Sequence, residues 1–201
     1  MAFLAEQDMP FVRIGSQQRD AGIPVSMGDE GSARLATAHL IAHGHTRIGF
    51  IAGSSEYELS GWRVDGWRAA MTDAGLPCEG LQGAGDFSFA SGEAAALRLL
   101  DSRDRPTAII ASNDQMAMAT LAVARRLGLN VPDDLSLISF DNTPIVQFAQ
   151  PPLTAIDESI AATASKAIEL IIAHQKGDAP PETLTVVPST LIERASVARR
   201  R

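Results

Sequence analysis

The stretch Pro106-Thr107-Ala108-Ile109-Ile110-Ala111-Ser112-Asn113-Asp114-Gln115-Met116-Ala117 passes from an apolar run into a helical pattern through three small polar residues. Residues 107–111 carry no charge and do not alternate, so they read as a strand covered on both faces. From Asp114 to Leu127 the pattern is helical, and Gly128 closes it, because a glycine accepts the positive φ of the residue after a helix. Strand, polar junction and helix together make half of a βαβ unit.

The same rhythm extends in both directions. Residues 11–14, 47–52 and 135–140 read as further strands, and residues 85–89 as a weak one. Helices are expected over residues 32–43, ended by Gly44, and over residues 60–74, with Ser60 as N-cap and Gly75-Leu76-Pro77 as the stop. Two more are expected over residues 91–100 and 158–175, and Pro132-Asp133-Asp134 is a turn. Residues 183–192 form a last extended segment, and Pro188 within it favours an edge or bent strand. Strands alternating with helices of this length specify an α/β fold around a mostly parallel sheet.

Composition narrows the class. The 201 residues carry 17 Lys and Arg against 24 Asp and Glu, a net charge of −7, with 45% hydrophobic and 20% charged residues. That balance excludes a mainly disordered chain. It also argues against a broad nucleic-acid surface, which needs clustered cations. The one basic run, Arg199-Arg200-Arg201, reads as a solvated tail. No stretch approaches 18 apolar residues, so no membrane contact is expected, and the opening residues lack the basic and apolar regions of a signal peptide. The single cysteine, Cys78, excludes an internal disulfide and any multi-cysteine metal site and fits a reducing cytoplasm.

In open α/β sheets ligands bind beyond the carboxyl ends of the strands. Those ends carry Gly53-Ser54-Ser55, then Asp86 and Phe87, then Ser112-Asn113-Asp114, then Asp141-Asn142, with Trp62, Arg63 and Trp67 at the start of the next helix. Amide and carboxylate groups can bridge vicinal hydroxyls, a guanidinium donates in a plane, and an aromatic ring covers the apolar face of a sugar or stacks on a base. Each residue also suits a structural role. Asn113 or Asp114 can cap a helix, Asp141 can form an Asx turn, and the aromatics can fill core. Signatures of catalysis are missing: there is no P-loop and no nucleophile elbow, and Gly83-Ala84-Gly85 lacks its third glycine, having Ser88 there. His39 and His43 have the helical spacing of zinc ligands without the glutamate of a metalloprotease motif, so neither metal nor cofactor is expected.

Taken in order, several motifs resemble one family. Trp62-Arg63-Val64-Asp65-Gly66-Trp67, Gly85-Asp86-Phe87-Ser88, Ser112-Asn113-Asp114-Gln115-Met116-Ala117, Val131-Pro132-Asp133-Asp134-Leu135-Ser136, Ser139-Phe140-Asp141-Asn142-Thr143 and Pro151-Pro152-Leu153-Thr154 are similar to the effector-binding core of lactose/galactose-repressor-type transcription regulators. That core has the type I periplasmic-binding-protein fold, two lobes around a ligand. The resemblance implies that Arg63, Phe87, Asn113 and Asp141 contact the effector, with Trp62, Asp86 and Asp114 in support, Asp114 ordering its loop. Asn113 points to a sugar.

The resemblance further implies no enzymatic chemistry, a homodimer, and operator DNA bound only through a helix-turn-helix that no segment here supplies. The N-terminal lobe is expected to be incomplete. Residues 1–44 would be its remnant, residues 45–156 the C-terminal lobe, residues 157–182 a helix returning to the first lobe, and residues 183–201 a closing strand and tail. The chain departs from the family pattern at Gly28-Asp29, Ser139 and Ala119. The alternative reading is a sugar-binding protein of a transport system with no transcriptional role.

Overall fold

The computed structural model describes residues 9–16, 22–179, 181 and 183–200. In chain order the elements are β1 (Val12–Ile14), β2 (Ile23–Ser26), α1 (Asp29–Ala42), β3 (Ile48–Ile51), α2 (Glu58–Asp73), β4 (Gln82–Gly83), α3 (Phe89–Leu100), β5 (Ala108–Ala111), α4 (Asp114–Arg126), β6 (Ser136–Phe140), a 3₁₀ turn (Pro144–Gln147), β7 (Thr154–Asp157), α5 (Ile160–Gln175), β8 (Thr185–Val186) and β9 (Thr190–Ile192). The strands form two sheets, one of three strands in the order β1-β2-β8 and one of six in the order β4-β3-β5-β6-β7-β9. Every pairing is parallel except β7 with β9.

The six-stranded sheet is a filled layer between helices, as the uniformly apolar strands require. Residues of β5 point alternately to its two faces. Ile110 joins a core with Phe50, Trp67, Leu40 and Ala36 under α1 and α2, and Ile109 joins one with Leu99, Met116 and Val123 under α3 and α4. The helices α1 and α2 approach closely because Gly66 has no side chain, and a Cβ there would lie 2.1 Å from the carbonyl oxygen of Glu30. The smaller sheet is covered by α5, which packs on β1 and β2.

Several boundaries differ from the sequence expectation. The weak strand at 85–89 is instead a turn, and the strand lies earlier, at Gln82–Gly83. Asp86 Oδ1 accepts from the Ser88 amide at 2.9 Å, and Ser88 Oγ then caps α3, which starts at Phe89. The helix expected to begin at Ser60 begins at Glu58 after an extended Tyr57. The helix expected from residue 32 begins at Asp29. The strands β2 and β7 were not anticipated. Both are short, and Pro24 and the polar ends of β7 hide them from a pattern search.

Helix α1 packs on α2 and lies against β5 and β9, so it is part of the larger body although it falls in residues 1–44. The final segment divides between the sheets, with β8 at one edge of the smaller and β9 at one edge of the larger. Beyond β9 the backbone is pinned. The Ser196 carbonyl accepts from Leu137 N at 2.8 Å, and Arg200 N donates to the His43 carbonyl at 2.8 Å. Buried His45 holds the same segment through Ala198 O at 3.2 Å and contacts Thr107 Oγ1 at 2.9 Å. The expected solvated tail is thus exposed in the side chains of Arg199 and Arg200 and ordered in its backbone; Arg201 lies outside the described residues.

Candidate functional site

The carboxyl ends of β3 to β7 meet along one rim of the larger sheet. Among the described residues the non-glycine positions with positive φ are Phe87 (72°), Asp141 (87°), Asn142 (59°) and Ser159 (50°), each shortly after a strand. Asn and Asp tolerate this conformation, whereas for a bulky residue it is strained. Strained backbone persists where surrounding structure fixes it, and it clusters at ligand clamps.

Arg63 stands at the centre. It lies in the second turn of α2 and is 2% exposed. Its Nε donates to Asp29 Oδ1 at 2.8 Å, Nη1 to the Ser112 carbonyl at 2.7 Å, and Nη2 to Glu158 Oε1. The guanidinium also sits over the Phe140 ring, 4.5 Å from its centroid. As found, the arginine is engaged within the protein. Two of its partners occupy crossovers between the sheets: Asp29 follows β2, and Glu158 joins β7 to α5.

The cluster is rich in carboxylate. Burial pushes Glu158 up to about 7; Arg63 opposes this, while Asp141 and Asp29 add to it. Asp141 is raised by burial first, lowered by Arg63, raised again by Asp114, and lowered by hydrogen bonds with the Asp114 backbone and with Glu158. Like charges sharing a dry site resist full ionisation, which is why both carboxyls are raised although Arg63 is close. Asp114 is 3% exposed. Its Oδ2 accepts from Thr143 N and Oγ1, both at 2.6 Å, and so ties the start of α4 to the loop after β6. Asp114 Oδ1 and Asp29 Oδ2 are buried without a hydrogen-bond partner among the described residues. Such oxygens demand a donor.

Asn113 has both ends of its amide occupied. Oδ1 caps α4 by accepting from Met116 N at 2.9 Å, and Nδ2 donates to the Phe87 carbonyl at 2.9 Å. Phe87 is half-buried and lies against Gly53, where a Cβ would be 2.0 Å from Phe87 Cζ. Tyr57 flanks it, with ring centroids 6.0 Å apart. Asp86 is exposed and held down at about 2 by hydrogen bonds from Ser88 and Ser91, so it organises the turn. Trp62 is half-buried beside Arg63 on α2. Trp67 is core: its Nε1 donates to the Ile48 carbonyl at 3.1 Å and it stacks on Phe50. The His39 and His43 rings meet at a tilt of 37° with centroids 4.3 Å apart at the end of α1, and His43 Nδ1 lies 2.8 Å from the His39 carbonyl.

Beside this cluster opens a cleft of about 490 Å³ lined by Phe89, Asn113, Asp114, Asp141, Thr143 and Ile145, among others. A second hollow of about 350 Å³ is lined by Gly53, Tyr57, Ser60 and Gly85 among others. The structure thus gathers Asn113, Asp114 and Asp141 at one opening. Arg63 is buried and bonded to Ser112, Asp29 and Glu158, Phe87 packs against Gly53 and Tyr57, and Asp86 is exposed.

The periplasmic binding protein-like domain family matches residues 37–197. A regulatory protein of the LacI family from Chloroflexus aggregans is 36% identical and superimposes with a TM-score of 0.90, covering 99% of this chain and 72% of that one. The chain belongs to the LacI family.

Other members extend the comparison. The HTH-type transcriptional regulator MalR of Streptomyces coelicolor is 31% identical to this LacI-family chain over 201 residues, 97% of it and 58% of MalR. The cellobiose complex of the transcriptional regulator CelR has a TM-score of 0.88 and 30% identity, covering 96% of the chain and 60% of CelR. The LacI-family chain spans about half the length of the curated relatives it matches. Sequence reasoning reached the rim and missed Asp29, Glu158, Thr143 and Tyr57 as neighbours of the site. One signal was available: a buried arginine requires acids, and the pairs Asp29-Glu30 and Asp157-Glu158 stand at the entries of two helical patterns.

Proposed function

We propose that this chain is the effector-sensing part of a transcriptional regulator. A small, hydroxyl-rich molecule, a sugar, binds at the rim between the larger and smaller sheets and changes how they sit together. That change alters the operator affinity of the complete protein. Binding of this kind shifts a pre-existing equilibrium by the ligand's differential affinity for its two states. The chain performs no chemistry on the ligand. It acts in the cytoplasm, and no helix among the described residues is long and apolar enough to cross a membrane.

The observation that carries this reading is the set of acceptors at one opening. Asp114 and Asp141 line the cleft together, and Asp114 keeps a buried oxygen unpaired. A polyol brings several donors in the spacing of vicinal hydroxyls. Arg63 and Asn113 hold the acceptors and Phe87 in place, Asp86 orders the turn that carries Phe87, and Trp62 and Tyr57 lie nearby on or beside the start of α2. Contact by Arg63 with the ligand would require release of Glu158.

A homodimer fits a groove that adjoins the cleft, the two sharing Met118. Phe148 is 80% exposed beside a groove of about 980 Å³ lined by Met118, Leu121, Ala149 and Pro151 among others. A protruding aromatic next to an apolar groove suits a two-fold, self-complementary contact.

Calorimetry with cellobiose, the sugar held by CelR, and with a set of neutral mono- and disaccharides tests the reading. At least one sugar is expected to bind without turnover and to lose at least tenfold in affinity in Asp141→Ala, the effect of removing a charged hydrogen-bond partner worth about 1.5–3 kcal/mol. Turnover of a bound sugar, or equal affinity in the variant, would sink it.

A further inference from the structure

Glu158 is the residue around which the rim is least expected. It stands at the crossover from β7 into α5, is 5% exposed, and shares Arg63 with Asp29. The groups facing it are Arg63 from α2, Asp29 from the start of α1 and Asp141 from the end of β6, with Asp114 of α4 acting on Asp141. One guanidinium therefore serves a group of four carboxyls. Two of those carboxyls, Asp29 and Asp114, each keep a buried oxygen without a partner among the described residues. A second like charge in a dry site is unfavourable unless a donor lies between.

We infer that Glu158 holds a proton against Asp141 in the free protein, and that a hydroxyl-rich ligand replaces that proton as the donor, so that ligand affinity rises with pH and anionic ligands are refused. This deepens the sugar reading and rests on it. A ligand hydroxyl donating to Asp141 stabilises the fully ionised pair. Binding then lowers the proton affinity of Glu158 and expels its proton, which goes to solvent as Glu158 turns wholly to Arg63. The value of about 7 for Glu158 places this exchange near neutrality. A sugar phosphate would add charge to an already over-supplied site and would need extra protons to bind.

The linkage sets the sign and the size. A ligand that releases one proton binds up to about tenfold more tightly for each pH unit across the range in which the free group titrates. A ligand that takes up a proton shows the opposite slope.

The full chain labelled with ¹³C at glutamate side chains provides the first arm. One carboxyl is expected to titrate near 7, apart from the other glutamates, and to vanish in Glu158→Gln. If Glu158 titrates with the rest, the inference is overturned. The second arm measures affinities for cellobiose, glucose and glucose 6-phosphate at pH 6, 7 and 8. A neutral sugar that binds is expected to gain at least fivefold between pH 6 and 8, and Glu158→Gln, which keeps an acceptor for Arg63, is expected to flatten that profile. A flat profile in the unaltered chain, or glucose 6-phosphate binding as tightly as its neutral counterpart, overturns the inference while leaving the sugar reading intact. Failure of every neutral sugar at all three pH values, with Glu158 still titrating near 7, overturns the sugar reading and supports the proton on Glu158.

Discussion

Arg63 reaches acceptors on three separate segments, so its loss strands more than one partner. Arg63→Ala would leave Asp29 and Glu158 buried without a cation, and breaking a buried pair from one side costs about 3–5 kcal/mol. Urea denaturation at pH 7.5 is expected to show a loss of that order, and Arg63→Lys is expected to recover only part of it, because an ammonium cannot span three directions in a plane. Glu158 gives a pH dependence of definite sign. Its folded-state value of about 7 lies above the ordinary glutamate value of 4.5. The folded state therefore holds a proton that the unfolded chain has lost. Stability attributable to this group is complete below about pH 4.5 and declines as pH rises through 7, by at most about 1.4 kcal/mol per unit. Compared with Glu158→Gln in paired denaturation curves from pH 5 to 8.5, the unaltered chain should lose ground from pH 5 to about 7 and level off above that. A constant difference would show that Glu158 is ionised throughout. The sequence pointed to Arg63 and Asp141 as candidates at the rim; the burial that sets their behaviour was not legible there.

At the scale of elements, the helices gain their positions from caps and from close approaches. Asn113 caps α4 and also holds the Phe87 carbonyl. Asn113→Ala removes both, and a lost cap alone costs about 1 kcal/mol. Asn113→Ser or Asn113→Asp should restore the cap and leave Phe87 loose. In the sugar titrations above, affinity should then follow Phe87 and not helix stability. Gly53 matters for a different reason: any Cβ collides with the Phe87 ring. Gly53→Ala should shift that ring, and the fluorescence of neighbouring Tyr57 offers a local readout. The sheet itself is secured by residues such as Ile110, fully buried between β3 and β6. Ile110→Ala should cost about 2–5 kcal/mol, against less than about 0.5 kcal/mol for an exposed substitution such as Glu79→Gln, both by thermal melting. Strand and helix order was legible because strands covered on both faces are unbroken apolar runs. The short β4 and the turn after it were misplaced because the Asp86–Ser88 hydrogen bond, a local side-chain contact, won over a weak β pattern.

The whole molecule consists of two sheets joined by three crossings: β2 to α1, β7 to α5, and β8 to β9. Arg63 bonds to residues at the first two, and Ser189 Oγ at the third donates to the Met27 carbonyl at 3.1 Å. The crossings are thus tied to one another at the level of the rim. In the proposed reading, a ligand that perturbs Asp141 acts on this network through Arg63 and Glu158. The proposed dimer contact uses the groove beside Phe148. Phe148→Asp should convert a dimer to monomers in sedimentation velocity at micromolar concentration, with the melting temperature of the monomer little changed because the ring is exposed. A dimer that survives the substitution would place the contact elsewhere.

The residues by themselves determined the α/β class, the parallel sheet, the rim at which polar residues gather, and the family. These follow from local chemistry: apolar runs long enough to be strands, glycines after helices, and small polar residues at each junction. Only the tertiary structure decided which polar residues line an open cleft and which bond to one another. It turned Arg63 from a free donor into the hub of a buried carboxyl cluster, and Asn113 into the support of Phe87. It moved helix α1 to the larger body and divided the final strands between two sheets. The reason is distance along the chain: Asp29, Arg63, Ser112 and Glu158 are far apart in sequence, and no local pattern records that folding brings them within hydrogen-bond reach.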